Sequence, residues 1–72
     1  MRVTYDGRTD TAYIYLKDFD DAEAARQHLL VAHDVKGDFT FDFDRRGCLL
    51  GIEVKFASGA VPAEVLQSAE RL

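Results

Sequence analysis

Between Phe39 and Phe56 apolar side chains return at every second position, and this period of two restricts the fold of the chain more than any other feature. Phe39, Phe41 and Phe43 alternate with Thr40, Asp42 and Asp44. After an interruption at Arg45-Arg46-Gly47, the residues Cys48, Leu50, Ile52, Val54 and Phe56 alternate with Leu49, Gly51, Glu53 and Lys55. Side chains along a strand point alternately to the two faces of its sheet, so each half predicts a strand with one apolar face, and the interruption predicts a hairpin. In that hairpin Asp44-Arg45-Arg46-Gly47 forms a type I turn, with Asp44 capping backbone amides and Gly47 at positive φ as the bulge residue. Cys48 is expected to face inward as an inert thiol.

The same run, residues 42–53, also satisfies all but one of the constrained positions in the calcium-loop pattern D-x-[DN]-x-[DN]-G-x5-E. Asp42, Asp44 and Glu53 take the first, third and twelfth positions, and Gly47 the sixth. The fifth is Arg46, a guanidinium where a cation needs an oxygen, and the flanks alternate as strands instead of forming a helix pair. The hairpin is therefore the preferred reading, with no metal expected. A divalent-cation or small-ligand site at Asp42, Asp44 and Glu53 remains the alternative.

Elsewhere the alternation is shorter. Val3 and Tyr5, then Ala12, Ile14 and Leu16, flank the polar interval 6–10 and predict a hairpin with strands near 2–5 and 11–16. Residues 17–27 read as a loop or a short helix, because Asp20 and Glu23 have capping-box spacing ahead of Ala24 and Ala25. Residues 28–35 are strand-like, and 36–38 supply a turn. Pro62 suits a first helical position, with Glu64 in the first turn, and a helix to about residue 71 is expected, with Val61, Val65, Leu66, Ala69 and Leu72 on one apolar stripe. The expected architecture is one α+β domain over 1–72: a small antiparallel sheet of about five strands with a C-terminal helix packed on one face.

At 72 residues the chain lies near the lower limit for a self-sufficient core, so a second subunit is expected. Its 47% hydrophobic and 31% charged residues are those of a folded domain. With 13 acidic against 9 basic residues, a net charge of -4 and no basic run longer than Arg45-Arg46, phosphate-driven nucleic-acid binding is disfavoured. A single cysteine suits a reducing compartment, and no apolar stretch reaches spanning length; a cytoplasmic protein off the membrane is the expectation.

The residues resemble the family catalogued as domain of unknown function 2283. The likeness rests on Thr4-Tyr5-Asp6, Asp10 and the aromatic strand Ala12-Tyr13-Ile14-Tyr15-Leu16, and most specifically on Asp42-Phe43-Asp44, Gly47 and Gly51-Ile52-Glu53. Ser58 and the Pro-initiated stretch 62–66 resemble its tail, while Arg45-Arg46 departs from the acidic pair common there. The resemblance implies a compact antiparallel sheet with a helix and no established activity. For some members it implies partnership in toxin-antitoxin-like gene pairs.

If Val3, Tyr5, Ile14, Leu16, the three phenylalanines and Ile52 face the helix, then Tyr13, Tyr15, Asp42, Glu53 and Lys55 share the opposite face. Tyrosines mixed with carboxylates suit an interface, so this face is the expected binding surface. Enzymatic chemistry has little support. The acidic side chains lack an evident dry pocket, and Ser58 and Ser68 lack an identifiable base. His28 and His33 fall on opposite faces at strand spacing, with His33 the more buried. The leading reading is a homodimeric protein-interaction module without a cofactor, using this face or an open sheet edge, with an acidic surface suited to a basic partner. An autonomous domain with an unreadable role is the remaining alternative.

Overall fold

The structure, a computed structural model, describes residues 1–72. Strands β1 (Arg2–Asp6), β2 (Thr11–Tyr15), β3 (Arg26–Leu30), β4 (Asp38–Phe43) and β5 (Leu49–Lys55) are followed by helices α1 (Ala57–Ala60) and α2 (Ala63–Gln67) and a short strand β6 (Glu70–Arg71). They form one sheet in the order β3-β4-β5-β2-β1-β6. All neighbours are antiparallel except β1 and β6, which pair in parallel through Thr4 with Glu70 and Tyr5 with Arg71.

Cross-strand register fixes the two faces. Val3 pairs with Ile14, Tyr5 with Ala12, Ala12 with Val54 and Val54 with Phe39, so these side chains share the face on which the helices lie. The core there is Ala12, Val54, Ala57 and Leu66, all buried, with Tyr5, Ile14, Phe39, Ile52, Ala60 and Val61 packed around them. Alanines at positions 12 and 57 let the short helices approach closely, with α1 on β2 and α2 on β1. Phe41, Phe43 and Leu30 lie outside that cluster, because the helices do not extend over the β3 end of the sheet. In β5 Gly51 pairs with Asp42 and Leu49 with Phe43, so Leu50 is the extra residue of a β-bulge and is almost wholly buried.

A sheet with C-terminal helices on one face agrees with the sequence reading; several details correct it. The C-terminal segment is two helices and a strand instead of one helix to residue 71. Val61, preceding Pro62, is extended (φ -105°, ψ 136°) and ends α1, so Pro62 caps α2 one position earlier than expected. Past Ser68 the chain satisfies the free edge of β1, where the Leu72 amide donates to the Tyr5 carbonyl at 3.0 Å.

The third strand covers 26–30, not 28–35, because pairing begins where Ala25 N donates to Phe43 O at 2.9 Å. Residues 31–37 form the connection, closed by Gly37 at φ 84°, where a Cβ would meet Ala60 at 2.7 Å. In the interval 17–25, Asp20 Oδ1 accepts Ala22 N at 3.0 Å and Glu23 N at 3.3 Å, a capped turn that no helix follows. Cys48 lies exposed in the turn, and His33 is exposed in the connection instead of partly buried. Leu16, Phe56 and Leu72 are exposed too. Phe56 leaves the alternation because it takes a left-handed conformation (φ 61°, ψ 42°) to turn the chain into α1.

Candidate functional site

The face away from the helices carries Tyr13, Tyr15, Asp42, Glu53 and Lys55 together. Tyr13 pairs with Glu53, Glu53 with Thr40, Tyr15 with Gly51, Gly51 with Asp42, and Lys55 with both Thr11 and Asp38. Tyr13 leans diagonally across β5, and its hydroxyl donates to Asp42 Oδ2. The glycine at 51 makes this possible: a Cβ there would lie 2.5 Å from Tyr13 Cε1 and 2.8 Å from Ile14 O. Gln27 Nε2 donates to Asp42 Oδ1 at 2.8 Å, so the buried Asp42 carboxylate is held from both sides. Burial first, and the Asp42 hydrogen bond second, push the Tyr13 phenol up from its ordinary value.

Phe19, from the connection after β2, folds over this face. Its ring centroid lies 6.2 Å from that of Tyr13 and 5.8 Å from that of Tyr15, while the two tyrosines are 4.5 Å apart. The three rings are tilted to one another by 47–51°. With Asp21, Ala24, Gln27 and Asp42 they line a cavity of about 320 Å³. Outside it, the Arg2 guanidinium stacks on Tyr15 at 4.2 Å from the ring centroid and pairs with Asp18 at 3.4 Å and Glu70 at 3.6 Å. Glu53 and Lys55 line a second, wider depression on the same face, of about 580 Å³, with Phe56 and Leu72 at its wall.

Asp42, Asp44 and Glu53 are not brought together as a ligand set: Asp42 holds Tyr13 and Gln27, and Asp44 holds its own turn. Asp44 Oδ1 accepts Arg46 N and Cys48 N, both at 2.9 Å, and Gly47 (φ 84°) donates its amide to Asp44 O at 3.0 Å. The Cys48 amide, foremost, keeps the Asp44 carboxyl below its ordinary value.

A second polar cluster links the two ends of the fold. Asp10, at φ 52°, accepts Tyr5 OH at 2.7 Å and Ser58 N at 2.9 Å on Oδ1, and Ser58 Oγ at 2.7 Å on Oδ2. Its carbonyl accepts Ala57 N at 2.9 Å, which docks α1 on the β1–β2 turn. Ser58 therefore has an acidic partner, in the role of a helix dock. No histidine or other base joins it.

Sequence reasoning missed Phe19 and Gln27, which fall in the interval without clear periodicity. It also missed the use of Gly51, although a glycine inside a strand is itself a signal of close approach. The link joining Asp10, Tyr5 and Ser58 was not legible: Tyr5 was read as an inward strand residue, Ser58 as a serine without a base, and Asp10 as a family position.

No helix is long and apolar enough to cross a membrane. No curated protein and no solved structure matches the chain. Residues 2–58, covering all five long strands and the first residues of α1, match the family described as protein of unknown function (DUF2283), and the chain belongs to that family.

Proposed function

We propose that this domain is an interaction module that pairs with a second copy of itself through β3. One observation carries the reading: every residue of β3 is exposed, and the strand is a bare edge of the sheet. Leu29 and Leu30 are 68% and 44% exposed, and Val31 beyond them 63%. Monomeric sheets blunt such edges with lysine, proline, bulges or very short strands. The opposite edge follows that rule, since β6 has only two residues, both charged. Arg26-Gln27-His28-Leu29-Leu30 has one charge, Arg26 at its start, no lysine or proline, and a five-residue length that leaves the outward backbone groups of its alternate residues open.

A strand paired with its own copy about a two-fold axis is self-complementary, so one edge suffices for a closed dimer. Pairing would also bury part of the exposed Leu29 and Leu30 side chains against their counterparts on the partner strand. Only nine residues are buried within the chain, which leaves this domain with much to gain from such a cover. The net charge of -4 favours a second reading, in which a basic partner, as in an antitoxin-like pairing, adds a strand to the same edge.

Light scattering tests the first reading. The protein is expected at twice its chain mass at hundreds of micromolar, and Leu29→Lys, which alters an exposed side chain, is expected to weaken association at least ~10-fold. A strict monomer at ~1 mM overturns self-pairing, because it places any dimer Kd well above that concentration.

A further inference from the structure

We propose that the cavity walled by Tyr13, Tyr15 and Phe19 is a binding site for a quaternary ammonium group. Three observations point to that chemistry. First, the rings are spaced so that a cation seated over the triangle of their centroids would lie within roughly 6 Å of all three, the range in which a ring face attracts positive charge. Their mutual tilt and shared lining of one cavity make a corner instead of a flat stack.

Second, the polar groups in the lining have one sign. Asp21 and Asp42 contribute carboxylates, Gln27 an amide, and no Lys, Arg or His lines the cavity. Asp42 is 6% exposed and fixed by two hydrogen bonds, so its charge is placed before any ligand arrives. The segment over the cavity adds Asp18, Asp20 and Glu23 against Lys17, and that lysine is paired with Glu23 at 3.0 Å.

Third, Tyr15 already holds a cation on its ring: the Arg2 guanidinium stacks there from outside the cavity. Its charge is offset by Asp18 and Glu70. The carboxylates in the lining accept no further donor from an alkylated ammonium, which has none to give. Attraction is therefore by charge and ring face, which selects a methylated ammonium over a strongly hydrated primary one.

The cavity volume of about 320 Å³ is at the small end of ligand sites and suits a headgroup instead of a nucleotide or a sugar chain. The group could arrive on a free small molecule or on a methylated lysine side chain. Both present the same trimethylammonium to the same rings.

The test uses choline and its neutral isostere 3,3-dimethyl-1-butanol, titrated into the protein while the ring resonances of Tyr13, Tyr15 and Phe19 are followed by NMR. Choline is expected to give saturable shifts at these rings and to bind at least ~10-fold more tightly than the isostere. Phe19→Leu is expected to weaken choline about 3-fold, and Asp42→Asn, which keeps the shape and removes the charge, is expected to weaken it further. Parallel titrations with free trimethyllysine and a trimethyllysine peptide distinguish the sources; tighter binding of the peptide assigns the site to a protein side chain, and equal binding to the small molecule. Equal affinity for choline and the isostere overturns the proposal, as does the absence of saturable shifts at ~100 mM choline. Unchanged choline binding in a Phe19→Leu protein with wild-type circular dichroism overturns it as well.

Discussion

At Gly51 a hydrogen atom stands where any other residue would place a carbon against Tyr13 and the carbonyl of Ile14. The tyrosine can rotate away from a methyl group, but the carbonyl oxygen, 2.8 Å from where a Cβ would sit, belongs to the backbone of β2 and cannot. Gly51→Ala is therefore expected to cost ~1–3 kcal/mol, read by thermal or urea denaturation, and to break the Tyr13–Asp42 hydrogen bond. A change below ~0.5 kcal/mol would show that the sheet can open at this point without penalty. Gly51, Tyr13, Asp42 and Gln27 act as one unit, from four separate strands. Of these, Tyr13 and Asp42 were legible as members of one face, because period-two alternation survives in the sequence. Gln27 was not, since its role depends on a pairing register that no local pattern encodes.

At the scale of elements, the strands with clear alternation were readable and the short helices were not. A helix of four or five residues has too few turns to display a periodic stripe, so the apolar residues 61–72 looked like one helix. Tertiary pairing then takes Glu70 and Arg71 into the sheet. The helices nonetheless complete the core: Leu66 supplies the only large aliphatic side chain that α2 buries. Leu66→Ala is expected to destabilise the fold by ~2–4 kcal/mol. The larger part of this range would show that the helix cannot settle onto Ala12 and Ala57; a loss below ~1 kcal/mol would mean that the cavity collapses. The third strand was half readable. Its apolar residues marked a strand, but its ends were set by Ala25 and by the loop closing at Gly37.

For the molecule as a whole, ionisation contributes to stability at both ends of the pH range. Asp6, Asp10 and Asp44 are held below the ordinary carboxylate value, chiefly by the Arg8 side chain, the Ser58 hydroxyl and the Cys48 amide respectively. Carboxyls lowered by folding stabilise the protein above the unfolded value of ~4, and that contribution is lost as pH falls through their lowered values. Tyr5 and Tyr13 are raised, Tyr5 first by its hydrogen bond to Asp10 and Tyr13 first by burial. Phenols raised by folding stabilise below the unfolded value of ~10, and that contribution is lost as pH climbs through their raised values. Urea denaturation across pH is expected to show a plateau between ~4 and ~10 from these groups, with Asp10→Asn flattening the acid limb. An acid limb that Asp10→Asn leaves unchanged would show that the Tyr5–Asp10–Ser58 cluster contributes nothing to it.

The molecule is a plate of 32 × 28 × 19 Å with a radius of gyration of 12.1 Å, somewhat above the ~11 Å typical of a compact chain this long. A plate with two unlike rims has a valence. In the pairing proposed above one rim would join a neighbour, while β6, two charged residues long, offers little for a second neighbour to pair with. Assembly through β3 would then terminate at two copies. Removing residues 70–72 would bare β1 and raise the valence to two, and the expected product is a growing ribbon instead of a dimer, visible as a broad, concentration-dependent mass distribution in sedimentation. On this view the smallest strand in the fold governs how large its assemblies become.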